Sequence, residues 1–371
     1  MPIQVQEFEC REGFIGQITL DAPGSLNALS GSMIDEIQTT LDQWTEASHI
    51  AMIVFRGAGE RAFCAGGDIR QLYGALSEPD DHSAAADYFA REYRMDYTIH
   101  CFPKPVITIA HGAVMGGGMG ILSASRYRLI TPDIRMAMPE ITIGLFPDVG
   151  ASWFLNRLPG RLGLFMGLTG ARLNASDALR VGLADMAVLP EQADSLIARL
   201  QDERWTDEAA ANDNRLFRLI KQLEHPDYRA LPESELARHE QSIARLSAGE
   251  ELPDVVEKLL SAEIDSDWWQ ACINNLRGGC PVTAWLVWTQ LKKAQQMSLK
   301  DTFRMELAMA IECTRRPDLR EGIRARLIEK DNAPQWSFKS VAEVPESIVE
   351  QHFLPELDDS NDPMTWTDRA I

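Results

Sequence analysis

The sequence lacks a long apolar run, and its cysteines are few and scattered. Charged residues or glycines interrupt the apolar stretches well before the roughly 20 residues that a membrane-spanning helix needs. We therefore expect no association with a membrane. Six cysteines are spread over 371 residues without a C-x-x-C pair, which indicates reduced thiols rather than a disulfide framework or a zinc site.

Positive charge is also scarce. The chain has 36 basic and 55 acidic residues, for a formal net charge of −19. This balance disfavours nonspecific binding to nucleic acid or to an anionic membrane, so we expect no nucleic-acid partner. The first residues show neither the basic and apolar regions of a secretory signal nor the Arg- and Ser-rich pattern of an organelle presequence. The expected location is the cytoplasm.

Several signatures of catalysis and nucleotide binding are absent. No G-x-S-x-G elbow occurs, which removes the usual serine-hydrolase mechanism. The seven histidines form no H-E-x-x-H or comparable ligand pair, so no metal is expected. The glycines from Gly112 to Gly120 do not lead into G-K-[ST], and Ile121 stands where a G-x-G-x-x-G motif needs its last glycine. Neither a P-loop nor a Rossmann turn fits.

The first half alternates strand and helix patterns. Alternating or continuous apolar runs predict strands, and apolar residues at three- and four-residue steps predict helices, the first capped by Ser30 or Ser32. A glycine-rich turn at 111–118 follows the third strand, and two further short strands come after the second helix. The predicted elements are strands over 14–20, 50–55, 105–110, 127–131 and 135–138, and helices over 33–44 and from 119 onward.

Beyond about residue 190 the pattern changes to long polar and apolar stretches with few strand signals. Segments 254–260, 284–291 and 299–313 are typical of helices. The chain is therefore expected to be an α/β protein with two regions, a catalytic core over 1–190 and a mainly helical region over 191–371.

Two glycine-rich segments offer backbone N–H groups to a ligand. Gly66 and Gly67 belong to the segment 62–69, which comes after the strand predicted over 50–55, and Gly116 to Gly118 lie at the start of a predicted helix. Helix starts carry unpaired N–H groups and a partial positive charge, so they suit an oxyanion. One amide from each segment would form a two-donor oxyanion hole. The alternative is that the glycines only allow a turn and a helix to pack tightly.

Four motifs follow one another in the first half of the chain. They are Asn27-Ala28-Leu29, Cys64-Ala-Gly-Gly-Asp68, His111-Gly-Ala-Val-Met-Gly-Gly-Gly118 and Pro139-Glu140-Ile-Thr-Ile-Gly144-Leu-Phe-Pro147. In order and spacing they resemble the crotonase (enoyl-CoA hydratase/isomerase) superfamily. Through the further segments Met138 to Gly150, Thr169-Gly-Ala-Arg-Leu173 and Asp318 to Asp331, the chain is most similar to the 3-hydroxyisobutyryl-CoA hydrolases, over nearly its whole length. The resemblance implies a crotonase-like spiral of β-β-α units.

The resemblance also implies roles for individual residues. The amides of Gly67 and Gly117 would hold the oxygen of an acyl-CoA thioester. Glu140 would act as nucleophile or general base, and Asp148 would manage the proton. Glu92 would lie near the acyl group. CoA would bind along Asn27, Ala28, Ala65, Gly66, Asp68 and Ile69. CoA is part of the substrate, so no separate cofactor is expected, and a homo-oligomer is possible.

Hydrolysis rather than hydration is suggested by one acid lost and another gained. Enoyl-CoA hydratases place a first carboxyl where this chain has Gly120, and they resemble one another in having glycine where this chain has Asp148. Two carboxyls in a water-poor pocket do not both ionise easily, so one could donate a proton while the other attacks. The alternative role for Asp148 is a helix N-cap.

The predicted function is hydrolysis of a short 3-hydroxyacyl-CoA. An enoyl-CoA hydratase or isomerase is the first alternative, and a non-catalytic acyl-CoA binding protein is the second. One departure concerns the acyl group: the hydrolases usually carry a Ser-Pro-Thr-Ser-Leu-Lys-like segment where this chain has Cys280-Pro-Val-Thr-Ala-Trp285. A different pocket wall, and hence a different acyl group, is compatible with this segment.

Overall fold

The computed structural model describes residues 2–77, 81–206, 208–223 and 227–354. The sequence predicted five of the strands found there. The strands are β1 (Ile3–Glu9), β2 (Phe14–Leu20), β3 (Ile50–Gly57), β4 (Ala62–Cys64), β5 (Val106–Ala110), β6 (Ala113–Met115), β7 (Tyr127–Ile130), β8 (Arg135–Ala137) and β9 (Met186–Ala187).

Helices make up most of the remaining described residues. Among these residues no helix is both long and apolar enough to cross a membrane. The helices are α1 (Gly31–Glu46), α2 (Ile69–Ala75), α3 (Ser83–His100), α4 (Gly117–Ala124), α5 (Ala151–Leu155), α6 (Leu162–Thr169), α7 (Ala175–Arg180), α8 (Pro190–Gln201), α9 (Ala209–Lys221), α10 (Glu235–Leu246), α11 (Leu252–Ser261), α12 (Asp267–Gly278), α13 (Pro281–Lys293), α14 (Leu299–Arg315), α15 (Pro317–Ile323) and α16 (Glu346–Gln351).

The backbone packs as two compact units, each built from several stretches of chain. Unit 1 comprises residues 1–67, 95–136 and 173–235, and unit 2 comprises 68–94, 137–172 and 236–371. The predicted division into a catalytic core over 1–190 and a mainly helical region over 191–371 stays a prediction. Residues 355–371 of the second region lie outside the described residues.

Unit 1 contains a six-stranded sheet in the order β1-β2-β3-β5-β7-β9. The β1–β2 pair is antiparallel, with Ile3 opposite Leu20, and the other pairs are parallel. The residues Ile50–Phe55 of β3 are all buried, as expected of a parallel strand covered on both faces. Continuous apolar runs therefore form the middle of the sheet.

Helices cover this sheet on both faces. Side chains of α8 and α9, including Leu196 and Leu216, form one buried cluster with Val54 and Ile109 of the strands. Helix α1 packs on β1 and β2. A side chain at Gly16 would lie 2.5 Å from the Trp44 ring, so the glycine of β2 makes room for a large aromatic residue of α1.

A second sheet in unit 1 has the order β4-β6-β8, and it holds the two glycine-rich segments. The pairing of β4 with β6 is parallel, with Ala62 opposite Ala113. The prediction of a plain turn over 111–118 was wrong, because residues 113–115 form strand β6. This strand has only three residues, which is too short for periodicity to reveal it.

Unit 2 is mainly helical. Helix α6 packs against α12 and α13, and the rings of Phe165 and Trp269 stack with 5.3 Å between centroids. The Asn275 side chain donates a hydrogen bond of 2.9 Å to the backbone oxygen of Thr169, which ends α6. The helices predicted over 254–260, 284–291 and 299–313 are confirmed as α11, α13 and α14.

Candidate active site

The two glycine-rich segments lie in contact within unit 1. Strand β4 leads into Gly66, whose φ of +109° suits only glycine, and strand β6 leads into Gly116, whose φ is +46°. A Cβ atom on Gly66 would lie 3.3 Å from the Met115 oxygen. The parallel pairing of β4 with β6 brings the two segments to the same end of the small sheet.

Gly117 is the first residue of helix α4, and no side chain caps this helix. Outside the regular elements, the backbone hydrogen bonds of the described residues include none from the N–H groups of Gly67 or Gly117. Uncapped N–H groups at a helix start attract negative charge. The two segments thus have the character that an oxyanion hole requires, and the convergence of their amides on one oxygen atom stays a prediction.

A side chain at Gly118 should force the two segments apart. The Cβ of Gly118→Ala would lie 2.4 Å from the Cys64 oxygen, so the backbone has to move. We expect the free energy of unfolding to fall by about 1–3 kcal/mol, as is usual for an overpacked site. Urea denaturation measures this loss. Gly74→Ala is the control, because nothing lies within 4 Å of its new methyl group; equal stability of the two variants would contradict the close approach.

The predicted acidic residues come together in unit 2. Glu140 begins a single 3-10 turn, Glu140–Thr142, directly after Pro139. Glu92 of α3, Glu140 and Asp148 are all buried. One carboxylate oxygen of Glu92 and one of Glu140 have no hydrogen-bond partner among the described residues. Buried polar atoms without a partner are rare in proteins, and they are often found where a ligand or water binds.

Burial raises the pKa of every carboxyl group in this cluster. For Asp148 it raises the pKa to about 7, although a 2.8 Å hydrogen bond from the Tyr93 hydroxyl partly opposes the effect. Burial and then the negative charge of Asp148 raise the pKa values of Glu140 and Glu92 well above the ordinary range. Asp148 therefore loses its proton first, and its charge keeps protons on the other two.

The turn that carries Asp148 has an unusual backbone. Val149 and Gly150 have φ values of +53° and +86°, and a left-handed conformation is rare for a β-branched residue such as Val149. The helix α5 that follows has Gly150 as its N-cap, without a side-chain hydrogen bond. The alternative in which Asp148 caps a helix is therefore wrong, and its side chain is bonded to Tyr93 instead.

Distal helices of unit 2 hold this turn. The Gly150 and Ser152 N–H groups donate hydrogen bonds of 2.7 and 2.8 Å to the two carboxylate oxygens of Glu306, which is fully buried on α14. The Gln290 side chain on α13 donates a 2.9 Å hydrogen bond to the Pro147 oxygen. Three polar side chains, including Tyr93, thus contact four residues of the segment from Pro147 to Ser152.

The turn that carries Glu140 also packs against distal residues. The Cys280 N–H donates a 2.9 Å hydrogen bond to the Ile141 oxygen, and a side chain at Gly322 would lie 2.3 Å from the Ile143 backbone. Cys280 begins the segment in which this chain departs from the hydrolases. A backbone hydrogen bond therefore connects the first residue of that segment to the Glu140 turn.

Gly120 has no room for the carboxyl group that hydratases carry there. A Cβ atom on Gly120 would lie 2.8 Å from both carboxylate oxygens of Asp96, a fully buried residue of unit 1. A glutamate at position 120 would meet both a steric clash and a like charge. An acid from helix α3 occupies the space instead.

The residues predicted to bind CoA fall into two groups. In unit 1, the Leu29 N–H donates to the Gly66 oxygen at 2.8 Å and the Ala65 N–H donates to the Leu26 oxygen at 3.0 Å, so the segments with Ala28 and Ala65 adjoin. The Asn27 side chain is occupied, because it donates to the oxygens of Ala58 and Ala62. Its role in the fold is thus to hold the loop.

The other two predicted residues begin helix α2 in unit 2. The Asp68 carboxylate accepts the N–H groups of Arg70 and Gln71, each at 3.1 Å, and so caps the helix that starts at Ile69. Contact of either group with CoA stays a prediction.

The sequence did not reveal the roles of Tyr93, Gln290 and Glu306. Tyr93 adjoins the predicted Glu92, but an apolar ring in a helix gives no sign of its hydroxyl partner. Glu306 and Gln290 lie on apparently ordinary amphipathic helices. The signal available for Glu306 is an acid at a helical position whose neighbours, Phe303, Leu307 and Ala310, are all buried.

The fold and these acidic residues define a class of protein. The chain belongs to the enoyl-CoA hydratase/isomerase family, whose profile matches residues 15–353. Its fold is accordingly the expected crotonase-like α/β fold with a helical C-terminal region.

The similar proteins include curated relatives named as hydrolases and a solved structure described as a hydratase. The chain is 35% identical to a mitochondrial 3-hydroxyisobutyryl-CoA hydrolase of Gallus gallus over 93% of this chain and 88% of the relative. It is 36% identical to that of Danio rerio over 92% and 87%. A crystal structure described as an enoyl-CoA hydratase from Rhodobacter sphaeroides 2.4.1 is 32% identical, with a TM-score of 0.82 over 96% of this chain and 98% of that one.

Proposed function

We propose that this protein hydrolyses the thioester of 3-hydroxyisobutyryl-CoA or of a closely related short 3-hydroxyacyl-CoA. The observation that carries the proposal is the buried pair Glu140 and Asp148, with raised pKa values and with a free oxygen on Glu140. The names of the relatives from Gallus gallus and Danio rerio support the same substrate.

In the first step the thioester oxygen accepts hydrogen bonds from the N–H groups of Gly67 and Gly117. The Glu140 carboxylate attacks the carbonyl carbon, a C–O bond forms, and the C–S bond breaks. Asp148 gives its proton to the departing sulfur. The products of this step are free CoA and a mixed anhydride between Glu140 and the acyl group. The two amides stabilise the negative charge that develops on the thioester oxygen.

In the second step water opens the anhydride. The ionised Asp148 takes one proton of the water, the hydroxide oxygen bonds to the acyl carbon, and Glu140 leaves as a carboxylate. Both groups return to their starting states. A second route has Glu140 deprotonate the water directly, so that no anhydride forms. The two routes need the same residues in the same protonation states.

Both routes begin with one negative charge on Glu140 and one proton on Asp148. In the free protein Asp148 ionises first, since its pKa of about 7 is lower than that of Glu140. The total charge of the pair is then already correct, and transfer of one proton from Glu140 to Asp148 gives the reactive form. We propose that the substrate favours this transfer by drawing the charge of Glu140 towards the carbonyl carbon.

The rate should rise with pH through about 7. Below this pH the pair carries no negative charge, so kcat/KM should fall tenfold for each pH unit, and the inflection follows the Asp148 pKa of about 7. Initial rates of thiol release between pH 5 and 9 test this. Tyr93→Phe removes a hydrogen bond that lowers this pKa, so the inflection should move to higher pH. An inflection near pH 4 would contradict the buried pair.

The second candidate is an enoyl-CoA hydratase, which the description of the Rhodobacter sphaeroides structure favours. In this reading Glu140 is the sole base and Asp148 is the second acid. The collision between a side chain at Gly120 and Asp96 argues against the usual hydratase arrangement. A third candidate is an acyl-CoA binding protein, which would bind its ligand equally well after Glu140→Gln and would show no turnover.

Release of free thiol from a panel of short acyl-CoAs tests the proposal. We expect the highest kcat/KM with 3-hydroxyisobutyryl-CoA, followed by other 3-hydroxyacyl-CoAs, and no thiol from crotonyl-CoA. Hydration of crotonyl-CoA without thiol release from any member would establish the second candidate. The panel also defines the acyl preference that the segment at 280–285 leaves open. Cytoplasmic location and homo-oligomer formation stay predictions.

A further inference from the structure

Glu306 is a buried acidic residue near Asp148 to which the proposed reaction gives no part. It lies on α14, more than 150 residues from the turn that it contacts. Both of its carboxylate oxygens accept backbone N–H groups, from Gly150 at 2.7 Å and from Ser152 at 2.8 Å. Hydrogen bonds from backbone N–H groups to a carboxylate are among the stronger ones in proteins.

The turn between Asp148 and α5 needs such a contact. Val149 and Gly150 are both left-handed, which is costly for valine, and α5 has no side-chain cap of its own. Without an acceptor, the Gly150 and Ser152 N–H groups would be buried and unpaired. Glu306 satisfies both groups at once, and it therefore determines the direction in which the preceding residue points.

The other contacts of this turn act on different atoms. Tyr93 bonds the Asp148 carboxylate from one side, and Gln290 bonds the backbone one residue earlier, at Pro147. On the far side of Asp148, Glu306 accepts the Gly150 and Ser152 N–H groups, whereas the Asn156 side chain donates a 2.9 Å hydrogen bond to the Ser152 oxygen. A displacement of about 1 Å at a reacting group can lower a rate by two orders of magnitude.

We infer that Glu306 is a positioning residue for the thioesterase reaction, which acts by fixing the Asp148 turn through the Gly150 and Ser152 N–H groups. The inference rests on the proposed function. It assigns to the distal helices a direct part in aligning the proton donor, because α14 carries this carboxylate. Glu306 itself does not touch the substrate.

The charged and titratable groups around Asp148 come from three elements. They are Tyr93 and Glu92 of α3, Glu140 of the 3-10 turn, and Glu306 and Cys313 of α14. Each of these groups is either neutral or negatively charged, and none carries a positive charge. Burial raises the pKa of Glu306 to about 8, so this residue is largely uncharged near pH 7, and its replacement by glutamine should leave the pH inflection of the rate near 7.

The test is a double-mutant cycle in the full-length protein. Glu306→Gln keeps the shape and one acceptor oxygen, and we expect kcat to fall by about 10- to 100-fold with KM changed by less than about threefold. If Glu306 acts through Asp148, the same change in an Asp148→Asn background should lower kcat by less than about twofold. Additive losses would overturn the inference.

Two further variants separate positioning from simple stability. Glu312→Gln on the same helix removes a carboxylate bonded to Arg316 and should leave kcat unchanged. Glu306→Asp keeps the carboxyl group but is one methylene too short for both N–H groups, so its kcat should lie between those of the wild type and Glu306→Gln. Glu306→Asp also tests the inference if Glu306→Gln fails to fold. Equal kcat for Glu306→Asp and the wild type would overturn the inference.

Failure of this inference differs from failure of the proposed function. If Asp148→Asn lowers thiol release and Glu306→Gln does not, the hydrolase stands and the role of Glu306 is wrong. If the wild type releases no thiol from any acyl-CoA, the proposed function fails, and the role of Glu306 in it fails as well.

Discussion

Glu140→Gln should lower kcat for thioester hydrolysis by at least about 10³-fold. The amide cannot attack a carbonyl carbon or take a proton from water, so both routes of the proposed reaction stop. The side chain is buried, and one of its oxygens has no partner, which leaves it available to the substrate. The measurement is the steady-state rate of thiol release at pH 8, where the wild-type pair is charged.

The same substitution should preserve the fold. Glutamine has the shape of glutamate and removes a group whose burial opposes its ionisation, so the thermal midpoint at pH 8 should not fall. Binding of an acyl-CoA analogue should also persist. Glu312→Gln, at a carboxylate that bonds Arg316, is the matched control for the chemical change. Turnover by Glu140→Gln within tenfold of the wild type would exclude Glu140 as nucleophile or base.

Asp148→Asn should lower kcat by about 10²- to 10⁴-fold, the usual contribution of a positioned acid or base. Asparagine can still accept the Tyr93 hydrogen bond through its side-chain oxygen, so the turn should keep its conformation. It cannot protonate the departing sulfur, however. Initial rates with 3-hydroxyisobutyryl-CoA and with a thioester of a more acidic thiol measure the effect.

The thiol series distinguishes a proton donor from a merely structural residue. A more acidic leaving thiol needs less protonation, so the loss caused by Asp148→Asn should shrink with it. A loss that is the same for every thiol would contradict the assigned role of Asp148. The pH inflection of this variant should follow Glu140 alone, because the reaction still needs its carboxylate and burial raises its pKa.

Much of the fold could be predicted from the sequence where its patterns are long. Strand β2 and helix α1 follow seven- and sixteen-residue patterns, and the Ser30 hydroxyl caps α1 by accepting the Met33 N–H, as its spacing suggested. Strands β4 and β6 have three residues each and were not predicted, whereas the equally short β8 was predicted to within one residue. Pairing between distant segments defines such short strands, and a local pattern contains no information about it.

The acidic cluster was predicted from resemblance, and in the structure its members are all buried in unit 2. The charge of Asp148 acts on both Glu92 and Glu140. The residues that hold the cluster were not predicted. Glu306 and Gln290 contact backbone atoms of a turn some 150 residues away, and nothing in their own helices marks them. Their roles follow only from the tertiary fold.

These contacts connect the distal half of the chain to the acidic cluster. Within unit 2, Cys280 and residues of α13, α14 and α15 contact the segment from Glu140 to Ser152. The contacts are at the Ile141, Ile143, Pro147, Gly150 and Ser152 backbones. Glycine is required at Gly144 and Gly322 because a Cβ there would lie 2.5 and 2.3 Å from backbone atoms. The distal helices are therefore part of the framework of the acidic cluster.

The products formed from 3-hydroxyisobutyryl-CoA test the central claim most directly. The substrate is incubated with the wild-type protein, and free CoA, the free hydroxy acid and the unsaturated acyl-CoA are separated and quantified. Hydrolysis predicts one CoA and one hydroxy acid for each substrate consumed, without unsaturated product. Accumulation of the unsaturated acyl-CoA with no free CoA would mean that the protein is a lyase, and the proposed roles of Glu140 and Asp148 would be wrong.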